Sequence, residues 1–151
     1  MSTTTAPKVI PLVSSGTAGP LGALHLPRLW AKLTLGNAGA LADGYDHCGA
    51  GFDQMTITAL GLERDAVLAY VQSAKPTYMQ FEEWILAQNG GSISADRIEK
   101  HNAAIRGYNH ADALATSMRS AAGVKDASVK DAVTLNTIED LDELHSQVNG
   151  R

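Results

Sequence analysis

The chain has one cysteine in 151 residues, so neither an intramolecular disulfide nor a multi-cysteine zinc site is open to it. A lone thiol fits a reducing compartment, and a cytoplasmic protein is expected. Aromatic residues are scarce, at 5%, and the formal net charge is −4. Nucleic-acid binders carry a basic face and stacking rings. Both are missing, so no nucleic-acid partner is expected. Runs that alternate apolar and polar residues are nearly absent, which argues against a sheet. No window approaches the roughly 18 apolar residues of a membrane span. The early apolar stretch Val9-Ile10-Pro11-Leu12-Val13 is too short for a secretory leader and is broken by proline. No membrane association is expected.

What is present reads as one all-α domain. Apolar residues make up 44% and charged residues 19%, ordinary values for a chain with a single core. Residues 1–24 are rich in Thr, Ser, Gly and Pro. Pro7, Pro11 and Pro20 exclude regular helix there, leaving an extended arm that is either anchored through Val9, Ile10, Leu12 and Val13 or mostly disordered. Residues 25–149 are expected to form the domain proper, six or seven short helices joined at glycines.

Pro27 opens the first helix, with Leu26, Leu29, Trp30 and Leu33 at helical spacing and Gly36 as its C′ residue. Helices are then expected from Asp53 to Leu60 and from Leu62 to Ser73. Thr77 and Gln80 form a capping box ahead of Phe81, Trp84 and Ile85, and Gly90-Gly91 closes that helix. Ser94 caps a helix to Arg106, a further helix covers about 108–122, and 123–135 is a loop. Thr137 caps the last helix, with Leu141 and Leu144 inward.

With the helices placed, the chain resembles an uncharacterised bacterial family, domain of unknown function 5069. The residues that carry the likeness are Leu26-Pro27-Arg28 with Lys32, Gly44-Tyr45, Gly51-Phe52-Asp53 and Leu60-Gly61-Leu62, then Glu83-Trp84-Ile85 and Ile98 with His101-Asn102. It spans roughly residues 20–145. It implies a bacterial, soluble, helical domain and carries no activity of its own.

The chemistry concentrates in one loop. Asp43-Gly44-Tyr45-Asp46-His47-Cys48-Gly49-Ala50-Gly51-Phe52-Asp53 holds three carboxylates, an imidazole, a phenol and the only thiol, with three glycines between them. His47 is the expected general acid or base. Asp46 or Asp53 would orient it, and Tyr45 or Cys48 would serve as proton donor or nucleophile. Arg28 and Lys32, four apart on one helix, would hold an anion. Asn102 and His110 would complete the opposite wall.

The expected function is proton transfer, elimination or hydrolysis on a small anionic or phenolic molecule, with no organic cofactor. Under it, His47→Ala and Asp53→Ala are expected to cost turnover and leave thermal stability within a few degrees. A structural alternative pairs Arg28 with a helix-capping Asp53 and leaves the loop solvated. A functional alternative is a non-catalytic module that binds a protein or ligand through the Phe81/Trp84 surface or the arm. His47, His101 and His110 match no metal-binding spacing, so a metal there is the lesser expectation. Gly44-x4-Gly49 has the outer spacing of a phosphate loop, but Ala50 stands where lysine is required. His25 and His145, beside helix ends, are expected to be surface or capping residues. A homodimer is expected under either reading.

Overall fold

The computed structural model describes residues 7–150, so the first six residues of the expected arm lie outside it. Among the described residues there are seven α-helices and no strand longer than an isolated bridge. They are α1 (Leu26–Asn37), α2 (Phe52–Ala59), α3 (Arg64–Ala74), α4 (Tyr78–Gln88), α5 (Ala95–Gly107), α6 (Asp112–Ala122) and α7 (Ala132–Asn149). None is long and apolar enough to cross a membrane.

α1 is the central element. Leu26, Leu29 and Leu33 recur every three or four residues, and all three are fully buried against Ile57, Val67, Val71, Phe81 and Ile85 of α2, α3 and α4. Burial of each such side chain is worth roughly 1.5–3 kcal/mol. A second, smaller cluster joins Leu24, Phe52, Ile105 and Ala132, and so ties α2, α5 and α7 together. Phe81 belongs wholly to the core, so the Phe81/Trp84 pair is no surface. Only Trp84 is half-exposed, with Tyr70 stacked on it at 4.4 Å.

The helix boundaries follow local chemistry. The Thr77/Gln80 box closes in both directions, at 3.2 and 2.9 Å, and Ser94 accepts from the Arg97 amide. Three expectations change. The last helix starts six residues early, because Asp131 accepts from the Thr134 amide at 2.9 Å and out-competes Thr137, whose hydroxyl turns back to the Val133 carbonyl. That shift rotates the inward face onto Ala132, Leu135 and Asp140, and Leu141 is left 55% exposed. α6 begins at Asp112, because Tyr108 and His110 are held in an extended bridge to residues 130–132. Gly36 lies inside α1 rather than beyond it. Its missing side chain makes room for the His47 ring, which would sit 2.2 Å from a Cβ there.

The arm, as far as it is described, is packed. Ile10 and Ser15 are buried, and Val9 bridges to Leu41 through backbone bonds to Ala40 and Ala42. Of the four expected anchors only Ile10 is buried, while Val9 and Leu12 stay exposed. Backbone bonds and the Ser15 and Ile10 side chains thus hold residues 7–24 in place of an apolar anchor, and a mostly disordered tail does not hold there.

Candidate functional site

Arg28 and Lys32 project from the same face of α1, as helical spacing requires. They meet two different carboxylates. Arg28 takes Asp140 of α7 in a two-pronged pair at 2.7 and 3.1 Å, and its Nη1 also donates to the carbonyls of Pro11 and Val13 at 2.8 Å each. Lys32 Nζ donates to Asp53 of α2 at 2.5 Å. All four side chains are buried. The expected Arg28–Asp53 pair does not form, and Arg28 has no free fork for an anion.

Asp53 is the hub. It is 2% exposed, and it accepts from Lys32, from His25 Nε2 at 2.6 Å and from the Gly49 amide at 2.6 Å. Burial alone would raise its pKa. The His25 hydrogen bond and the Lys32 charge outweigh that and hold the carboxyl well below the usual carboxylate range.

His25, expected at the surface or as a cap, holds the cap position of α1 without a side-chain capping bond and lies buried at the centre of this cluster. It is the residue before α1, with φ of 71°, a left-handed backbone that a non-glycine residue adopts only when its surroundings hold it there. Ser15 Oγ stands 2.9 Å from its Nδ1. Burial pushes the His25 pKa down against the pull of Asp53. A neutral ring then donates from Nε2 to Asp53 and accepts from the Ser15 hydroxyl at Nδ1. Serine, histidine and aspartate are thus in line, yet Ser15 is 1% exposed and has no opening to a substrate. The row is a structural relay and not a nucleophile with its base.

Above this base lies a cleft of about 360 Å³. Its walls include Lys32, Tyr45, Asp46, Tyr108, His110 and Glu139. Tyr45 donates to Asp140 at 2.8 Å, with the Arg28 guanidinium 5.9 Å from its ring centre. Burial, and then the Asp140 hydrogen bond, push its phenol far above the ordinary range, so it stays protonated. His110 Nε2 donates to Asn136 Oδ1 at 3.1 Å, and its Nδ1 makes no hydrogen bond among the described residues. Asp46 is exposed at the rim and has no hydrogen bond among the described residues.

The other expected site residues lie elsewhere. His47 is exposed on the outer side of α1, with Nε2 3.3 Å from the Leu33 carbonyl, and it touches neither Asp53 nor the cleft. Its expected pairing with Asp46 or Asp53 therefore does not form. Cys48 packs half-buried against the main core, and burial pushes its thiol pKa up, the opposite of what a nucleophile requires. Asn102 clamps the arm instead of a ligand, accepting from the Leu24 amide at 2.9 Å and donating to the Gly22 carbonyl at 2.8 Å. His101 donates to the Leu24 carbonyl at 2.8 Å in the same clamp. Among the described residues no three histidine, cysteine or carboxylate groups converge on a metal-sized point, so His47, His101 and His110 form no joint site. The Gly49 amide, which a phosphate loop would turn to its ligand, is taken by Asp53.

Four contributors were missed from the sequence: His25, Asp140, Asn136 and Glu139. The last three sit on α7, whose phase was lost with its cap. For His25 the signal was there, as a histidine directly ahead of Leu26-Pro27 and inside an apolar run. Arg64 was missed too. It donates to the carbonyls of Cys48 and Gly49 and to Gln54, and pins the loop in place.

These pKa shifts set a pH dependence. The folded-state pKa values of His25 and His101 are lowered, chiefly by burial. Below about pH 6.5 the unfolded chain takes up protons that the folded one refuses, so stability falls as pH drops. Asp53 adds a loss at lower pH, since its contribution is complete above about pH 3.9 and vanishes on protonation. Glu139, raised by burial and then by Asp140 and Glu143, opposes this with one group. Melting temperatures measured from pH 7.5 down to about pH 4 should hold near neutrality and fall steadily below about 6.5. A flat profile down to about pH 5 would show that these imidazoles are charged in the fold.

No family model matches the chain, and no curated protein matches it.

Proposed function

We propose that the protein is a small enzyme, independent of organic cofactors, that binds a small organic molecule in the cleft and moves a proton on it. One observation carries this reading: His110, with one ring nitrogen that takes no partner among the described residues, shares a cleft with the Lys32 ammonium over a rigid base of buried ion pairs. His110 replaces His47 as the general base or acid. Among the described residues Lys32 makes a single hydrogen bond, to Asp53, so its remaining N–H donors can steady a polar group on the substrate. Tyr45, held by Asp140, keeps its oxygen lone pairs as acceptors.

The reading is tested by screening small organic molecules for amide shifts confined to the cleft, then assaying each binder for chemical change. His110→Gln should lower turnover by about a hundred- to ten-thousand-fold while binding persists. Binders that the protein leaves unchanged would refute catalysis.

The second reading, a non-catalytic helical module, is favoured by the completeness of the Arg28–Asp140 and Lys32–Asp53 pairs, which close without a ligand. A cytoplasmic setting rests on the lone thiol and on the resemblance to a bacterial family. A homodimer is supported by Leu141 and Val148, exposed on α7, and light scattering reads its mass.

A further inference from the structure

The charges of the cleft are uneven. The Arg28 guanidinium is neutralised by Asp140 and the Lys32 ammonium by Asp53. Two carboxylates remain in excess, Asp46 and Glu139, and neither takes a hydrogen bond or an ion pair among the described residues. Burial first, and then Asp140 and Glu143, oppose the ionisation of Glu139, and they outweigh the smaller pull of Arg28 and His110. Tyr108 adds a ring at the mouth, 44% exposed, in T-shaped contact with Phe52 and His110. Unpaired carboxylates beside an exposed aromatic ring, in a cavity, are the chemistry that recognises organic cations. An anion would meet the same carboxylates as repulsion.

We propose that this cleft takes a small organic cation, an ammonium- or guanidinium-bearing molecule, and not the anion that Arg28 and Lys32 suggest when read in isolation. The inference rests on the cleft being the ligand site. Asp46 and Glu139 hold the charge, and Tyr108 covers the apolar part.

The test uses the full chain and three four-carbon probes whose ends differ in charge: putrescine, butanediol and succinate. Calorimetry at neutral pH gives the affinities, and amide shifts locate the binding. Putrescine should bind in the cleft about tenfold or more tightly than butanediol, and succinate should bind weakest. Asp46→Asn and Glu139→Gln should each weaken putrescine by roughly fivefold. Asp46→Asn should leave the melting temperature unchanged, and Glu139→Gln should hold or raise it, because it removes a charge that the fold opposes. Tighter binding of succinate in the cleft would overturn the cation while leaving the cleft as the site. Equal putrescine affinity in the wild type and the double variant, or no putrescine binding at all, would also overturn it. The broader reading is judged separately, by the screen and by His110→Gln.

Discussion

Asp53→Ala is expected to destabilise the fold by about 3–5 kcal/mol, because it leaves the Lys32 ammonium buried without its counter-charge. For a chain of this length the melting temperature should drop by roughly 10 °C. The same substitution strips the Gly49 amide and His25 Nε2 of their acceptor, so the loop that lines the cleft loosens as well. This reverses the sequence-based expectation of near-native stability for that variant. The reason is geometric: Asp53 points inward to three donors and not outward to a substrate. Adding Lys32→Met to Asp53→Ala should recover part of the loss, since the unpaired charge is then gone. Thermal and denaturant melts of the two variants check this. A wild-type midpoint for Asp53→Ala would mean that Lys32 reaches solvent without it.

Arg28→Met should cost a similar amount, about 3–5 kcal/mol, by leaving Asp140 buried and unpaired. Its effect spreads further, because one guanidinium joins α1, α7 and the arm. Hydrogen exchange should quicken at residues 8–16 and along the middle of α7 before the core opens. Arg28→Lys should rescue little, since an ammonium cannot hold both oxygens of Asp140 and two carbonyls in the same plane. Unchanged protection of the arm in Arg28→Met would show that Ile10 and Ser15 anchor it unaided.

The two substitutions also separate function from framework. Arg28, Lys32 and Asp53, on which the sequence placed binding and catalysis, turn out to be taken up by buried ion pairs. The groups left free to act on a ligand, His110, Asp46 and Glu139, stand around them at the cleft wall. A buried ion pair is costly to break and inert while intact. Catalytic or binding work falls to neighbours whose charges or lone pairs remain unmatched.

Much of the fold was legible because it is written in short-range chemistry. The heptad-like recurrence of Leu26, Leu29 and Leu33, proline at the first turn of α1, the Thr77/Gln80 box and the Ser94 cap all act within one or two helical turns. Each behaves in the structure as its spacing demands. The start of α7 was not legible, because Asp131 and Thr137 are both competent caps. Only the docking of Ala132 and Leu135 onto the rest of the domain selects the first.

By itself, then, the sequence determined an all-α chain, the order of its helices, and a polar loop pressed between α1 and α2. Tertiary structure alone decided which charge meets which. Arg28 and Asp140 are 112 residues apart, and no local rule pairs them. His25 and Asp53 are 28 apart and meet only because α1 and α2 pack against each other. Partner choice among buried charges depends on the distance and dielectric that the finished fold creates, and neither is a property of any segment alone.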